Sequence, residues 1–130
     1  MPAITGPEKS VGRYFHAWKY HDTELLRRIF APGAQYIIRG KCTYYGIDKI
    51  VEYWERNERR QEDLELHWKV LRAEERVAVA EFGAAFFNPE TKTRDKVHGQ
   101  IIFLYDREGR ISKLSEAYRK QASPVSEVVD

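Results

Sequence analysis

The chain has 130 residues, 42% of them hydrophobic and 32% charged. That is the length of one ordinary domain and a mix that builds a single core, which excludes a disordered chain and a two-domain protein. Its 22 basic and 20 acidic residues leave a net charge of +2, too even a balance for the basic stripe of a dedicated nucleic-acid binder.

No apolar run reaches the ~18 residues needed to cross a membrane. Residues 1–7 lack a charged segment followed by an apolar one, so no secretion signal is read and a cytoplasmic location is expected. Cys42 is the one cysteine, which rules out an internal disulfide and a cysteine-based metal centre; no cofactor is expected. Aromatic residues make up 13% of the chain, more ring area than a small core needs, so part of it is expected to line a pocket.

In chain order, Pro7 suits a first helical turn, and Val11, Tyr14, Phe15 and Trp18 follow at helical spacing, predicting a helix over 7–20. Asp22 is the N-cap candidate of a second, short helix carrying Leu25, Leu26, Ile29 and Phe30, which Pro32-Gly33 stops. Residues 34–39 read as a strand and 40–45 as a loop. Ile47, Ile50, Val51 and Trp54 form the stripe of a third helix that fades in the charged run 55–62. Leu64, Leu66, Trp68 and Val70 alternate with polar residues, as in a strand. Residues 77–87 form a long strand that is apolar on both faces, followed by strands over 94–105 and 110–119. Residues 123–130 read as a loose tail. Helices first and an antiparallel meander afterwards predict an α+β fold.

Three segments carry a family resemblance. They are Tyr14-Phe15-x-x-Trp18-x-x-x-Asp22 with Leu25, Leu26 and Phe30-Ala31-Pro32-Gly33-Ala34; Tyr45-Gly46-Ile47-Asp48-Lys49-Ile50 running into Tyr53-Trp54; and Phe103 to Ile111, closing on Leu114-x-Glu116-Ala117-Tyr118. Over about residues 7–119 this order resembles the nuclear transport factor 2-like superfamily, the SnoaL-like or cystatin-like α+β cones. The resemblance implies a single cone-shaped domain over 7–121 between flexible termini, 1–6 and 122–130. Three N-terminal helices would pack on a curved, mostly antiparallel sheet of four to five strands. It does not choose a function, because the fold hosts isomerases, cyclases, epoxide hydrolases, dehydratases and binding modules.

Laid against ketosteroid isomerase, the chain puts Tyr14 at the oxyanion-hole tyrosine, Ile38 at the catalytic base and Ile101 at the second donor. Two aliphatic residues stand where carboxyl groups are needed, so that isomerisation is not expected. The Asp-Arg-Asp set of limonene epoxide hydrolase is not matched either, since Arg94 and Asp95 fall near a strand end, at the wrong spacing and depth. The same comparison turns Val79, Glu81, Gly83, Ala85 and Phe87 into the cone, with Val97, Gly99, Ile101, Phe103 and Tyr105, and with Leu114, Glu116 and Tyr118. Ala78, Ala80, Phe82, Ala84, Phe86, Ile102 and Leu104 would then share the outer face.

The candidate catalytic residues are Glu116, Glu81 and Tyr14. A carboxylate in an aromatic cavity either accepts a hydrogen bond from a ring donor and orders the wall, or has its pKa raised and carries protons. Tyr14, Tyr36 and Tyr118 are donors to a ligand oxygen or to those carboxylates. Trp18, Trp54 and Trp68 are pocket wall or core, and Ile38, Ile101 and Phe103 are apolar lining. His16, His21, His67 and His98 make no metal pattern, and Arg56, Arg59 and Arg60 alternate with glutamates as on a solvated helix face. Two functional classes follow. One is a pocket that binds or acts on a small, largely apolar, oxygen-bearing ligand. The other is a non-catalytic interaction module that forms a homodimer through its outer sheet face.

Overall fold

Apolar residues at helical spacing build the first element. In the computed structural model, which describes residues 6–125, Pro7, Val11, Tyr14, Phe15 and Ala17 are the buried stripe of α1 (Gly6–Tyr20). His21 turns the chain in the left-handed region, φ 48°, and Asp22 caps α2 (Thr23–Ile29) by accepting the Leu25 N–H at 3.0 Å. The third helix, α3 (Ile47–Glu58), buries Ile50, Val51 and Trp54. The strands are β1 (Phe30–Ile38), β2 (Cys42–Tyr45), β3 (Glu62–Glu74), β4 (Val77–Asn88), β5 (Thr93–Tyr105) and β6 (Ile111–Pro124).

The six strands form one mixed sheet in the order β2-β1-β6-β5-β4-β3. Every pair is antiparallel except β1 with β6, which is parallel. The helices pack on the sheet, α1 against β3 and β4 and α3 against β1 and β2, giving the single α+β domain of the cone fold with one strand more than expected. The extra strand is β2, read from sequence as a loop; its Thr43 and Tyr44 are strand formers and pair with Ile37 and Tyr36. Phe30, expected on the second helix, opens β1 instead. Where a loose tail was expected from Ser123, β6 runs on through Pro124, and Ala122, Ser123 and Pro124 pair with Asp95, Arg94 and Thr93. The rest of that tail, residues 126–130, and residues 1–5 lie outside the described residues.

The core lies between the helices and the sheet. Tyr14, Phe15, Phe30, Ile101, Phe103 and Leu114 are fully buried there, each burial stabilising by roughly 1.5–3 kcal/mol. Tyr14 meets Phe15, Trp54 and Phe103 edge-on, with centroids 5.2, 5.5 and 5.2 Å away, the favoured aromatic geometry.

One strand faces the other way from expectation. On β4 it is Ala78, Ala80, Phe82, Ala84 and Phe86 that are buried against the helices, while Glu81 is exposed on the outer face. Both faces of β4 are apolar, so alternation alone does not choose between them, and a slip of one residue reverses every side chain. The choice is made by packing: Phe82 lies 6.1 Å from the Phe15 ring and 5.4 Å from Trp18. Glu81 is thereby left on the exposed face, in register with Lys69 of β3. The faces of β5 and β6 are as expected, with Val97, Ile101, Phe103, Tyr105, Leu114 and Glu116 buried.

Candidate functional site

Helices α1 and α3 and strands β2, β1, β6, β5 and the end of β4 line a cavity of about 250 Å³. Its deep end is made by Tyr14 of α1, Tyr36 and Ile38 of β1, Trp54 of α3 and Glu116 of β6. Strand pairing fixes that grouping. Glu116 lies in register with Ile38 on one side and Ile101 on the other, and its carbonyl accepts the Arg39 N–H at 2.8 Å. Burial at these positions follows the period-2 alternation of each strand.

Glu116 is 5% exposed, and among the described residues its carboxylate has no hydrogen-bond donor. Burial pushes it up from its ordinary 4.5 to about 7, against the opposing charge of Lys41. The expected bond from a ring donor is therefore absent among the described residues, and burial without a donor is what raises the carboxyl toward neutral pH. The phenols bond to each other instead, Tyr14 Oη to Tyr36 Oη at 2.7 Å. One hydroxyl donates to the other, and the accepting one keeps its own proton free to donate. Burial, and next the Glu116 charge, hold both phenols well above the usual tyrosine range; Tyr53 is raised by the same two causes. These phenols stay protonated donors beside a carboxyl group that titrates.

The outer end is polar. Trp18 Nε1–H donates to Gln61 Oε1 at 2.9 Å, and His21 Nε2 lies 3.1 Å from the same oxygen. Asp95, 2% exposed, accepts the Thr93 hydroxyl at 2.6 Å and lies 3.8 Å from Lys120 Nζ. Lys41 Nζ–H donates to Tyr118 Oη at 2.8 Å and lies 4.5 Å from the centre of that ring.

Of the residues singled out from sequence, Glu116, Tyr14, Trp18, Tyr36, Ile38, Trp54 and Tyr118 line this one cavity. Glu81 does not: it is on the opposite face of the sheet, for the packing reason given above. Ile101 and Phe103 lie fully buried in the core and form no part of the cavity wall. Trp68 is 43% exposed, stacked on Phe15 at 5.0 Å, and lies outside the cavity, because β3 is the sheet edge furthest from β1. His67 and His98 flank Gly83 on the outer face, ring centres 6.4 Å apart. No group of three or more metal-ligating side chains occurs among the described residues, and no helix there is long and apolar enough to cross a membrane.

Sequence reasoning missed Asp95, Lys41 and Tyr53 as wall residues. Asp95 shares the parity of Val97 and Ile101, which was the signal that could have placed it inward; Lys41 lies at the start of the segment read as a loop.

Residues 11–114 match the SnoaL-like domain family. Among curated proteins none matches the chain. Solved structures do. The epoxide hydrolase/cyclase-like enzyme SalBIII, with a role in pyran ring formation in the polyether salinomycin, superposes with a TM-score of 0.77 at 19% identity, covering 89% of this chain and 95% of its own. A limonene-epoxide-hydrolase-like epoxide hydrolase of Mycobacterium tuberculosis gives 0.72 at 18% identity, with coverages of 91% and 86%. A second protein of that organism gives 0.81 at 9% identity, with coverages of 95% and 100%. At these identities the likeness carries the fold.

Proposed function

The chain belongs to the SnoaL-like domain family, and from that premise we propose that it binds a small, largely apolar, oxygen-bearing ligand and moves a proton on it with Glu116. The observation that carries this reading is a buried carboxylate that faces the cavity without a donor, beside two phenols that bond to each other and not to it. The space between the carboxylate and the phenol pair is where a ligand oxygen and its reacting carbon fit. Tyr14 and Tyr36 together offer one free O–H to that oxygen. Glu116, titrating at about 7, accepts a proton when ionised and returns it when neutral, the condition under which acid–base catalysis is most effective at neutral pH. The aromatic walls supply the apolar contact. Two of the similar structures are described as epoxide hydrolases or cyclase-like, reactions on oxygen-bearing, largely apolar substrates, which supports the same class of ligand here.

The test is to incubate apolar ketones, esters and epoxides with the protein in D2O, reading deuterium uptake or ring opening by NMR. The expectation is action on at least one of them, with a rate that follows a titration near pH 7 and falls at least about a hundredfold in Glu116→Gln. Neither binding nor reaction with any of the panel would sink the proposal.

A second reading concerns assembly, and its observation is an apolar strip on the outer face. Val77 stands in register with Leu104 and Val79 with Ile102; all four are only partly buried, and Leu71 nearby is 45% exposed. A second copy, packed sheet to sheet about a two-fold axis, would cover it. Light scattering should give a dimer at micromolar concentration and a monomer for Val79→Lys. A monomeric wild type would end this reading.

A further inference from the structure

Three cations stand at the cavity wall: Lys41, Arg60 and Lys120. Two of them have carboxylate partners. Arg60 Nε meets Glu90 at 2.9 Å, and Lys120 Nζ lies 3.8 Å from Asp95. Lys41 has none within 4 Å among the described residues; its partner is the neutral phenol of Tyr118. The wall therefore presents more positive than negative charge while Glu116 is protonated.

The Lys41–Tyr118 contact also has a definite donor geometry. The ammonium spends one of its three protons on Tyr118 Oη and keeps two. Tyr118 accepts that bond, so its own O–H is free. An ammonium and a phenol O–H, 2.8 Å apart, present two donors side by side at the edge of an apolar cavity, matching the two oxygens of a carboxylate. We propose that the ligand of the Glu116 cavity is an apolar acid whose carboxylate rests on Lys41 and Tyr118. The proposal deepens the pocket reading above and rests on it: the acid group stays at the wall on Lys41, and the apolar body reaches inward between Trp54 and Tyr36 toward Glu116.

The opposite assignment is an organic cation held by Glu116 and the surrounding rings, since aromatic faces attract ammonium groups. It fits less well. Such a ligand would share the wall with Lys41, and Glu116 is only partly ionised at neutral pH. Bound anion would also cancel the Lys41 charge that holds the Glu116 carboxyl down, so an acid should take up protons as it binds. Besides Lys41 of the β1–β2 turn, the groups that share the wall with Glu116 include Tyr14 of α1, Tyr36 of β1, Tyr53 of α3, Asp95 of β5, and Tyr118 and Lys120 of β6; Lys41 is the one whose charge acts on its carboxyl.

Three probes of one shape separate these cases: 2-naphthoate, 2-naphthamide and 2-naphthylmethylammonium, titrated by calorimetry and tryptophan fluorescence at pH 7 and low salt. Naphthoate should bind at least about tenfold more tightly than the amide, an advantage that falls with added salt, and binding should take up protons in proportion to the buffer's ionisation enthalpy. Lys41→Met should erase the advantage and leave the amide's affinity in place, Lys41→Arg should keep most of it, and Tyr118→Phe should lose part of it. Equal binding of acid and amide, preference for the ammonium, or an equal weakening of acid and amide by Lys41→Met each overturns the proposal while leaving the pocket reading standing. Failure of all three probes to bind overturns both.

Discussion

Two buried carboxylates face the same cavity and differ in what meets them. Asp95 accepts a hydroxyl proton at 2.6 Å and has an ammonium at 3.8 Å; its charge is answered by its own neighbours. Glu116 has only the distant charge of Lys41 acting on it, and burial dominates. The first arrangement holds a strand end in place. The second leaves the ionised form without a compensating partner, the environment that raises a carboxyl's pKa. Burial is common to both carboxylates; the missing partner separates them, and it is the feature on which the role proposed for Glu116 rests.

The comparison is most sharply broken or upheld by Glu116→Gln. The folded pKa of about 7 lies above the ordinary 4.5, so between these values the folded protein binds more protons than the unfolded chain. Stability then falls as pH rises from about 4.5 to 7 and levels off above, a loss of about 3 kcal/mol. Glu116→Gln should remove that slope, being more stable than wild type by up to this amount at pH 8 and equal to it near pH 4. Urea unfolding across this range is the measurement; a wild type that gains stability over the same rise in pH would show that the carboxylate has a hidden partner.

Asp95→Ala should act in the opposite direction. It strips Thr93 of its acceptor and Lys120 of its opposing charge and is expected to cost about 1–3 kcal/mol at pH 7. Stabilisation by this change would erase the difference between the two ends of the cavity.

A smaller effect is expected at the phenol pair. Tyr14→Phe and Tyr36→Phe each leave one buried hydroxyl without its partner, at about 1 kcal/mol. Because the two hydroxyls share one bond, the double variant should cost less than the sum of the singles. Strict additivity would mean that at least one hydroxyl bonds elsewhere. Least affected should be Trp68→Ala. The indole stacks on Phe15 from the exposed edge of β3, so about 1 kcal/mol of packing is lost and ligand affinity should not change.

The legibility of these features in sequence follows from how each residue is constrained. Glu116 was readable because Leu114 precedes it by two residues on a strand with polar neighbours between, and alternation leaves one choice of face. β4 was not readable, since either face could serve as core; the rings of Phe15 and Trp18, contributed by α1, made the choice. Asp95 was obscured by its neighbours Arg94 and Lys96, which give the segment the look of a solvated strand end. The two-glycine frame around residues 41–45 read as a loop because a four-residue strand bounded by Gly40 and Gly46, both at positive φ, carries too few residues for its period to register. What lay outside local pattern altogether was the Lys41–Tyr118 contact, joined by the parallel pairing of β1 with β6 across most of the chain length.

That pairing has a consequence for how the molecule comes to be folded. β6 is the last of the six strands in chain order, yet it sits between β1 and β5, near the middle of the sheet order. Until it arrives, the β1–β2 hairpin and the β3–β4–β5 meander are two separate pieces with facing unpaired edges, the kind of edge that invites wrong partners. Closing the gap joins segments about eighty residues apart, contacts of high order that form slowly. Glu116 lies on the inserted strand itself. The cavity wall therefore lacks Glu116 and Tyr118 while the sheet is open, and a chain that stops short of β6 would leave the facing edges of β1 and β5 unpaired. Insertion of β6 is thus the step that completes both the sheet and the cavity wall.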